Sequence, residues 1–400
     1  MSSTFAPAEA NPGPAGSLKE VALLFLRLGT TAFGGPAAHI AMMEDEVVRR
    51  RHWVTREQFL DLLGATNLIP GPNSTEMAIH IGHRRCGWIG LLVAGASFIV
   101  PASLITLALA WAYVRFGTRP QAGALLYGVK PVIIAIVVQA LWGLARAAVK
   151  TKPLAGLALL AVFANAAGVN ELAVLLAAGT VAAALHSVAQ SAAQPFTNRI
   201  AWAGPSAGIA QIATSIAGDP TLVTPFSLTA LFLFFLKVGA ILFGSGYVLL
   251  AFLRADLVDH WHWLTDGQLL DAVAVGQLTP GPLSSTATFV GYMLGGVTGA
   301  IAATVGIFLP SFVFVAISGP LVPRLRRSPT AGAFLDGVNV GALALMAAVT
   351  FTLARAALVD VTTALLATAG AILLLRFHVS SVWLVLGGAL VGFAVTALGR

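Results

Sequence analysis

The sequence predicts an all-α fold: a polytopic bundle of transmembrane helices, built from two homologous repeats of inverted topology and containing broken or re-entrant helices. Three observations carry this reading. Hydrophobic residues make up 58% of the chain and charged residues 10%, with a mean hydropathy of +0.87, far from the usage of water-soluble domains. Apolar runs follow one another through the 400 residues, and about 20 such residues cross a bilayer. The order of runs and interruptions then occurs a second time.

Residues 1–18 read as a disordered tail. No basic stretch followed by an apolar core is present there, so no cleavable leader is expected and the first span would target the chain. Apolar segments near 20–42, 88–114, 121–149, 153–169 and 171–189 form an N-terminal repeat, residues 19–189. Residues 190–226, which contain Gly, Pro, Ser and Gln, read as a linker. A second series near 227–253, 288–318, 331–357, 361–376 and 379–398 forms the C-terminal repeat, residues 227–400.

The duplication holds residue by residue. FLRLGTTAFGG from Phe25 returns as FLKVGAILFGS from Phe235, a shift of 210, and Pro70-Gly71-Pro72 returns as Pro280-Gly281-Pro282. After one gap the shift is 209, so that LARAAV from Leu144 returns as LARAAL from Leu353. Tandem halves are a common construction of secondary transporters, which hold substrate near the midplane where the halves meet.

Loop charge orients the halves. Arg49, Arg50, Arg51 and Arg56 follow the first span, whereas the matching loop carries only Arg254; Arg324, Arg326 and Arg327 outnumber Arg115 and Arg119 at the next pair of loops. The bias reverses between halves, as inversion requires. With five full spans per half, the first basic loop and the linker would be cytoplasmic and both chain ends periplasmic. The formal charge of +7 is read as topology of this kind, with no nucleic-acid partner. Cys86 is the only cysteine, which excludes an internal disulfide and a cysteine-based metal site.

Two motifs mark a candidate site. Glycine breaks at Phe33-Gly34-Gly35-Pro36 and Phe243-Gly244-Ser245-Gly246 interrupt apolar runs. Irregular backbone at membrane depth survives only where protein or a polar cavity satisfies it; close helix packing through small residues is the plainer alternative. The second motif is Pro70-Gly71-Pro72-Asn73-Ser74-Thr75 with its partner Pro280-Gly281-Pro282-Leu283-Ser284-Ser285. A helix starting there would turn N–H groups and its positive dipole end toward an anion, although a single copy could be an ordinary polar turn.

Arg27 and Lys237 occupy matched positions about two turns before the breaks. Basic groups inside a span mark function or pair with a carboxylate, unless they snorkel to the interface. Lys130, opposite Asn339, is a secondary cation. Asp61 and Asp271 are matched acids that could pair with cations, carry coupling protons or lie on a solvated helix surface. Glu76, His80 and His83 fall at i, i+4 and i+7 and could share a face as a proton relay or metal set. The second half has no such trio, further metal ligands are not in view, and neither a metal nor another cofactor is expected.

These residues resemble the chromate ion transporter (CHR) family. The resemblance rests on FLRLGTTAFGGP, on QFLDLLGATNLIPGPNSTEMAIHIGHRRCGWIG, and on FGSGYVLLAFL followed by LLDAVAVGQLTPGPLSSTATFVGY, and it covers residues 20 to 360. It implies a long-chain, two-domain member in the inner membrane, exporting chromate from the cytoplasm, with sulfate as the structural analogue. The family's motifs fall on Phe33 to Pro36, Pro70 to Pro72, Phe243 to Gly246 and Pro280 to Pro282. Ser245 and Gly246 stand where the first copy has Gly35 and Pro36, so the two sides of the site need not be equivalent.

The energetics agree with export. One charge crossing 100 mV is worth about 2.3 kcal/mol, and a dianion doubles that, so an inside-negative potential drives it outward without ATP; no GxxxxGK[ST] loop is present. The expected partners are a chromate or sulfate oxyanion and the lipid bilayer, with a homodimer compatible with this reading. The rival readings are an anion channel and a membrane-embedded metal enzyme using Glu76, His80 and His83.

Overall fold

The computed structural model describes residues 17–117, 119–193, 225–243, 246–326, 328–377 and 379–398. Most of the expected tail and linker, and Gly244 and Ser245 of the second glycine break, lie outside these residues. Among the described residues every regular element is helical. The first half contains α1 (Leu18–Thr31), α2 (Gly35–Glu44, continued by a π-helical turn Asp45–Arg50), α3 (Arg56–Thr66), α4 (Asn73–Phe116), α5 (Pro120–Ala148), α6 (Lys152–Ala166) and α7 (Glu171–Ala193). The second contains α8 (Leu228–Ile241), the single turn α9 (Leu249–Phe252, continued by a π-helical segment Leu253–His260) and α10 (Asp266–Leu278). It ends with α11 (Thr286–Arg326), α12 (Pro329–Ala357), α13 (Val361–Phe377) and α14 (Ser381–Leu398).

Among the described residues six helices are long and apolar enough to cross a membrane. Large apolar side chains such as Trp111, Trp142, Phe351 and Trp383 are exposed on them, as lipid-facing surface requires. The chain is a multi-pass membrane protein.

Local signals set the starts of α3 and α10. Thr55 and Gln58 form a capping box, as do Thr265 and Gln268, satisfying amides that a helix start leaves open. Just before each box His52 and His262 adopt positive φ, 51° and 54°. The repetition therefore extends to backbone detail.

The first apolar segment does not cross the membrane in one piece. In a continuous helix Arg27 and Glu46 would stand about 28 Å apart, yet they form an ion pair of 2.5 Å. The chain reverses at Ala32–Gly34, and Val21 at the start of α1 buries in one cluster with Met43, Val47, Val54 and Ile81. Leu18 and the basic loop thus lie at the same end of the bundle. This corrects the expectation of five full spans, and with it the expectation that the first span begins on the face opposite that loop. A glycine break and a reversal look alike in sequence; the ion pair distinguishes them.

The 44 residues of α4 also fold back. Gly82 packs directly on the backbone of Gly90 and on Ala94, while Cys86 and Gly87 leave helical geometry between them. Arg85, next to this bend, stacks 5.2 Å from the Trp53 ring, so Asn73–Arg85 returns to the basic face and 88–116 then crosses. In α11, Gly291 packs on Gly299 and the bend falls at Gly295 and Gly296. Each half therefore carries two hairpins ahead of its longer helices, the first of them closed by Arg27 on Glu46 in one half and by Lys237 on Asp256 in the other.

The long helices interlock across the halves. Gly128 of α5 packs on Gly388 of α14, and Gly337 of α12 packs on Ala178 of α7, small-residue contacts of the kind that hold helices together in lipid. At one end of α5 the Tyr127 hydroxyl donates to Asp360, 2.6 Å away and just past α12. At the other, Lys150 donates to Asp336, near the start of α12, at 2.7 Å. The matched helices α5 and α12 run antiparallel.

Candidate functional site

The hairpin tips meet in the interior, and they do so reciprocally. The Gly71 N–H donates to the Leu242 carbonyl at 2.7 Å, and the Gly281 N–H donates to the Ala32 carbonyl at 2.8 Å. Donors and acceptors are both related by the 210-residue shift. Each Pro-Gly-Pro turn completes the backbone bonding that the glycine break of the other half leaves open, which meets the demand that no amide go unsatisfied at membrane depth.

Glycine is required at both turns. Gly71 has φ +139° and Gly281 has φ +86°, backbone conformations that side chains disfavour. A Cβ on Gly71 would drive into the Glu76 carboxyl and stand 2.8 Å from Ser311 Oγ; one on Gly281 would lie 2.7 Å from Ala102 Cβ and 3.0 Å from the Gly29 carbonyl oxygen. After each turn a helix begins. The Pro72 carbonyl accepts from the N–H groups of Thr75 and Glu76, and the Pro282 carbonyl accepts from that of Ser285.

Around these starts polar groups accumulate in an apolar setting. Thr75, Glu76, Ser284 and Ser285 are at most 2% exposed. Thr75 Oγ1, both Glu76 carboxylate oxygens, His80 Nε2, Ser284 Oγ and Ser311 Oγ are enclosed without a hydrogen-bond partner, as are Ser103 Oγ and Gln277 Nε2. Thr106 donates to Ser285 Oγ at 3.3 Å. The Tyr247 hydroxyl donates to Gln277 at 3.4 Å and faces Gly35. The His39 ring joins the Gly281 N–H on the Ala32 carbonyl at 3.1 Å. Buried polar groups are usually paired because an unpaired one costs about 1–3 kcal/mol, so this concentration sets the tips apart from the apolar core around them.

The structure thus brings together Gly35, Pro70 to Pro72, Thr75, Glu76, Gly246, Pro280 to Pro282, Ser284 and Ser285, with Gly246 packing against Leu283. Asn73 starts its helix with its amide donating to Asn67 at 2.8 Å. Phe33 and Gly34 form the first reversal, where the Phe33 side chain is exposed.

Arg27 and Lys237 stand away from this centre. Arg27 pairs with Glu46, and Lys237 with Asp256 while lying over the Phe234 ring at 5.5 Å. Burial pushes the Glu46 carboxyl up, but hydrogen bonds from Arg27 and Arg51 outweigh it and hold the group below its ordinary value. Asp61 is on an exposed surface of α3. Asp271 is buried, with Lys130 at 3.1 Å and the Tyr113 hydroxyl donating at 2.7 Å. Glu76 and His80 are buried, whereas His83 meets Trp88 edge to face with centroids 4.9 Å apart.

Sequence reasoning missed Ser103, Thr106, Gln277 and Ser311, and with them the tyrosines Tyr113 and Tyr247. The one available signal lay in Pro101 and Pro310, matched positions followed by Ala102 and Ser311.

The profile of the chromate transporter family matches residues 19–184 and again 229–393, offsets equal to the repeat shift. A chromate transport protein of Cupriavidus metallidurans is 34% identical over 398 residues, covering 99% of this chain and 97% of its own. One from Pseudomonas aeruginosa is 34% identical over 366 residues, covering 88% and 84%. A probable chromate transport protein of Synechococcus elongatus is 32% identical over 360 residues, covering 88% of both chains. No solved structure matches. With both halves matched and full-length relatives at this identity, the chain belongs to the chromate transporter family.

Proposed function

We propose that this protein is a secondary carrier of the inner membrane that exports chromate from the cytoplasm, accepts sulfate as an analogue, and confers chromate resistance. The observation that carries the reading is the pair of reciprocal tips, where two helix starts and a set of enclosed hydroxyls converge. Helix N-termini and hydroxyl donors suit a tetrahedral oxyanion. The substrate passes between Pro70–Thr75 and Pro280–Ser285, with Ser103, Thr106 and Ser311 lining the path.

The antiparallel course of α5 and α12 supports two halves related by a two-fold axis in the membrane plane, the arrangement of alternating-access carriers. The end of the bundle that holds Arg49, Arg50, Arg51, Arg56, Arg85, Lys150 and Lys152 is the cytoplasmic one by its excess of positive charge. Membrane potential drives the dianion outward. Glu76, enclosed beside Gly71 without a partner, is the group that takes up and releases a coupled proton, and Asp271 stays paired with Lys130 as the latch on the outer side. Arg27 and Lys237, each two turns from a tip, keep their hairpins at the membrane faces through Glu46 and Asp256.

Radiolabelled chromate uptake into inverted vesicles tests this directly. Saturable accumulation that follows an imposed potential and is competed by sulfate is the expected result. Absence of accumulation with the protein inserted would overturn the export of chromate.

A further inference from the structure

A cavity of about 430 Å³ opens beside the first Pro-Gly-Pro tip, between the end of α3, the end of α5 and the start of α12. Its wall holds Asn67 and Asn73 from the tip, Lys150 from the end of α5, and Asp336 and Asn339 from α12. Lys150 lies at the basic end of the bundle, its side chain 57% exposed, and its partner Asp336 is 33% exposed. The cavity therefore runs from the basic face to Asn73, the residue that begins the re-entrant helix after Pro72.

The matched residues on the opposite face are paired with one another or buried. Asn339 corresponds to Lys130, which is engaged by Asp271, itself capped by Tyr113. Asp336 corresponds to Tyr127, bonded to Asp360, and Asn73 corresponds to Leu283, which is buried. One scaffold is thus open and polar at the basic end and latched at the other.

We propose that this cavity is the cytoplasmic vestibule in which a tetrahedral divalent oxyanion first docks, with Lys150 as the docking cation and the amides of Asn67, Asn73 and Asn339 as its neutral donors. The inference rests on the export reading above. The arriving dianion displaces Asp336 from Lys150, since a doubly charged acceptor outcompetes a half-exposed carboxylate whose own pairing is weak. It then moves one helical turn inward to the tips. Neutral amides beside a single cation hold the anion without trapping it, which a carrier requires.

Initial rates of chromate uptake into inverted vesicles test this through the half-saturating concentration. Lys150→Gln is expected to raise it about tenfold, the value of one charge-assisted bond, with the maximal rate within about twofold of the parent. Lys150→Arg is expected to restore it and Asp336→Asn to lower it. Unchanged half-saturation in Lys150→Gln, with the parent active, overturns the vestibule and leaves export standing. An inactive parent would sink export instead, and an independent readout then decides the vestibule. In a Cys86→Ala background, Asn339→Cys is expected to react with a membrane-impermeant thiol reagent in inverted but not right-side-out vesicles, and more slowly with sulfate present. Labelling from the other face, or labelling that sulfate does not slow, overturns the proposal.

Discussion

After Pro72 the first-half tip continues as Asn73-Ser74-Thr75-Glu76; after Pro282 the second continues as Leu283-Ser284-Ser285-Thr286. The backbone is shared, down to the reciprocal bonds from Gly71 and Gly281. The chemistry is not. Glu76 faces Gly71 together with Ser311, while the neighbours of Gly281 are Ala102 and Gly29, and Thr286, at the position of Glu76, turns its hydroxyl to the Leu283 carbonyl, so the carboxyl is confined to one side. Similarly, Lys130 and Asp271 pair, whereas their counterparts Asn339 and Asp61 cannot form that bond. A duplicated frame has kept what geometry demands and diverged where charge is handled.

The sharpest way to break this comparison is to attack what the tips share. Gly71→Ala and Gly281→Ala should each reduce chromate uptake at least about 100-fold, since both add backbone strain of about 1–3 kcal/mol and a steric clash. Equal losses in the two halves would sharpen the case for a common frame; a silent Gly281→Ala would break it.

Next comes the chemistry that differs. Glu76→Gln should flatten the pH dependence of transport and leave potential-driven uptake within about tenfold of the parent, whereas Thr286→Val should keep the parental pH profile. A pH profile unchanged in Glu76→Gln removes the carboxyl from coupling.

At the latch the effect falls on stability rather than on transport. Lys130→Met leaves Asp271 buried without its cation and should cost about 3–5 kcal/mol of stability, read as a lowered melting temperature in detergent, with Lys130→Met/Asp271→Leu recovering most of it. The smallest effects belong to the pairs at the faces. Arg27→Gln and Lys237→Gln should change uptake by no more than about twofold, because both cations are partly exposed and screened and Glu46 keeps Arg50 and Arg51 as partners.

Much of this architecture is legible in the sequence. The duplication, the apolar spans, the two glycine breaks and the paired Pro-Gly-Pro turns are patterns of spacing, and spacing is what a sequence displays. Reversal at Ala32–Gly34 was not legible, because glycine permits a kink and a hairpin equally and only the meeting of Arg27 with Glu46 decides between them. The bond between Lys130 and Asp271 joins opposite halves, so no local pattern announces it. Ser311 was hidden for another reason. A serine in an apolar helix ordinarily bonds its own backbone, and its significance here comes from standing where two hairpin tips converge.

The exchange of bonds between Gly71 and Leu242, and between Gly281 and Ala32, also sets an order of assembly. As the chain is inserted from its N-terminus, the Gly71 amide has no acceptor until Leu242 has entered the bilayer, and the Ala32 carbonyl waits for Gly281. Lipid offers neither a substitute. The first half must therefore hold its tips open to water, or to a helper, until the second half arrives, and the barrier to ions can close only when the last tip is seated.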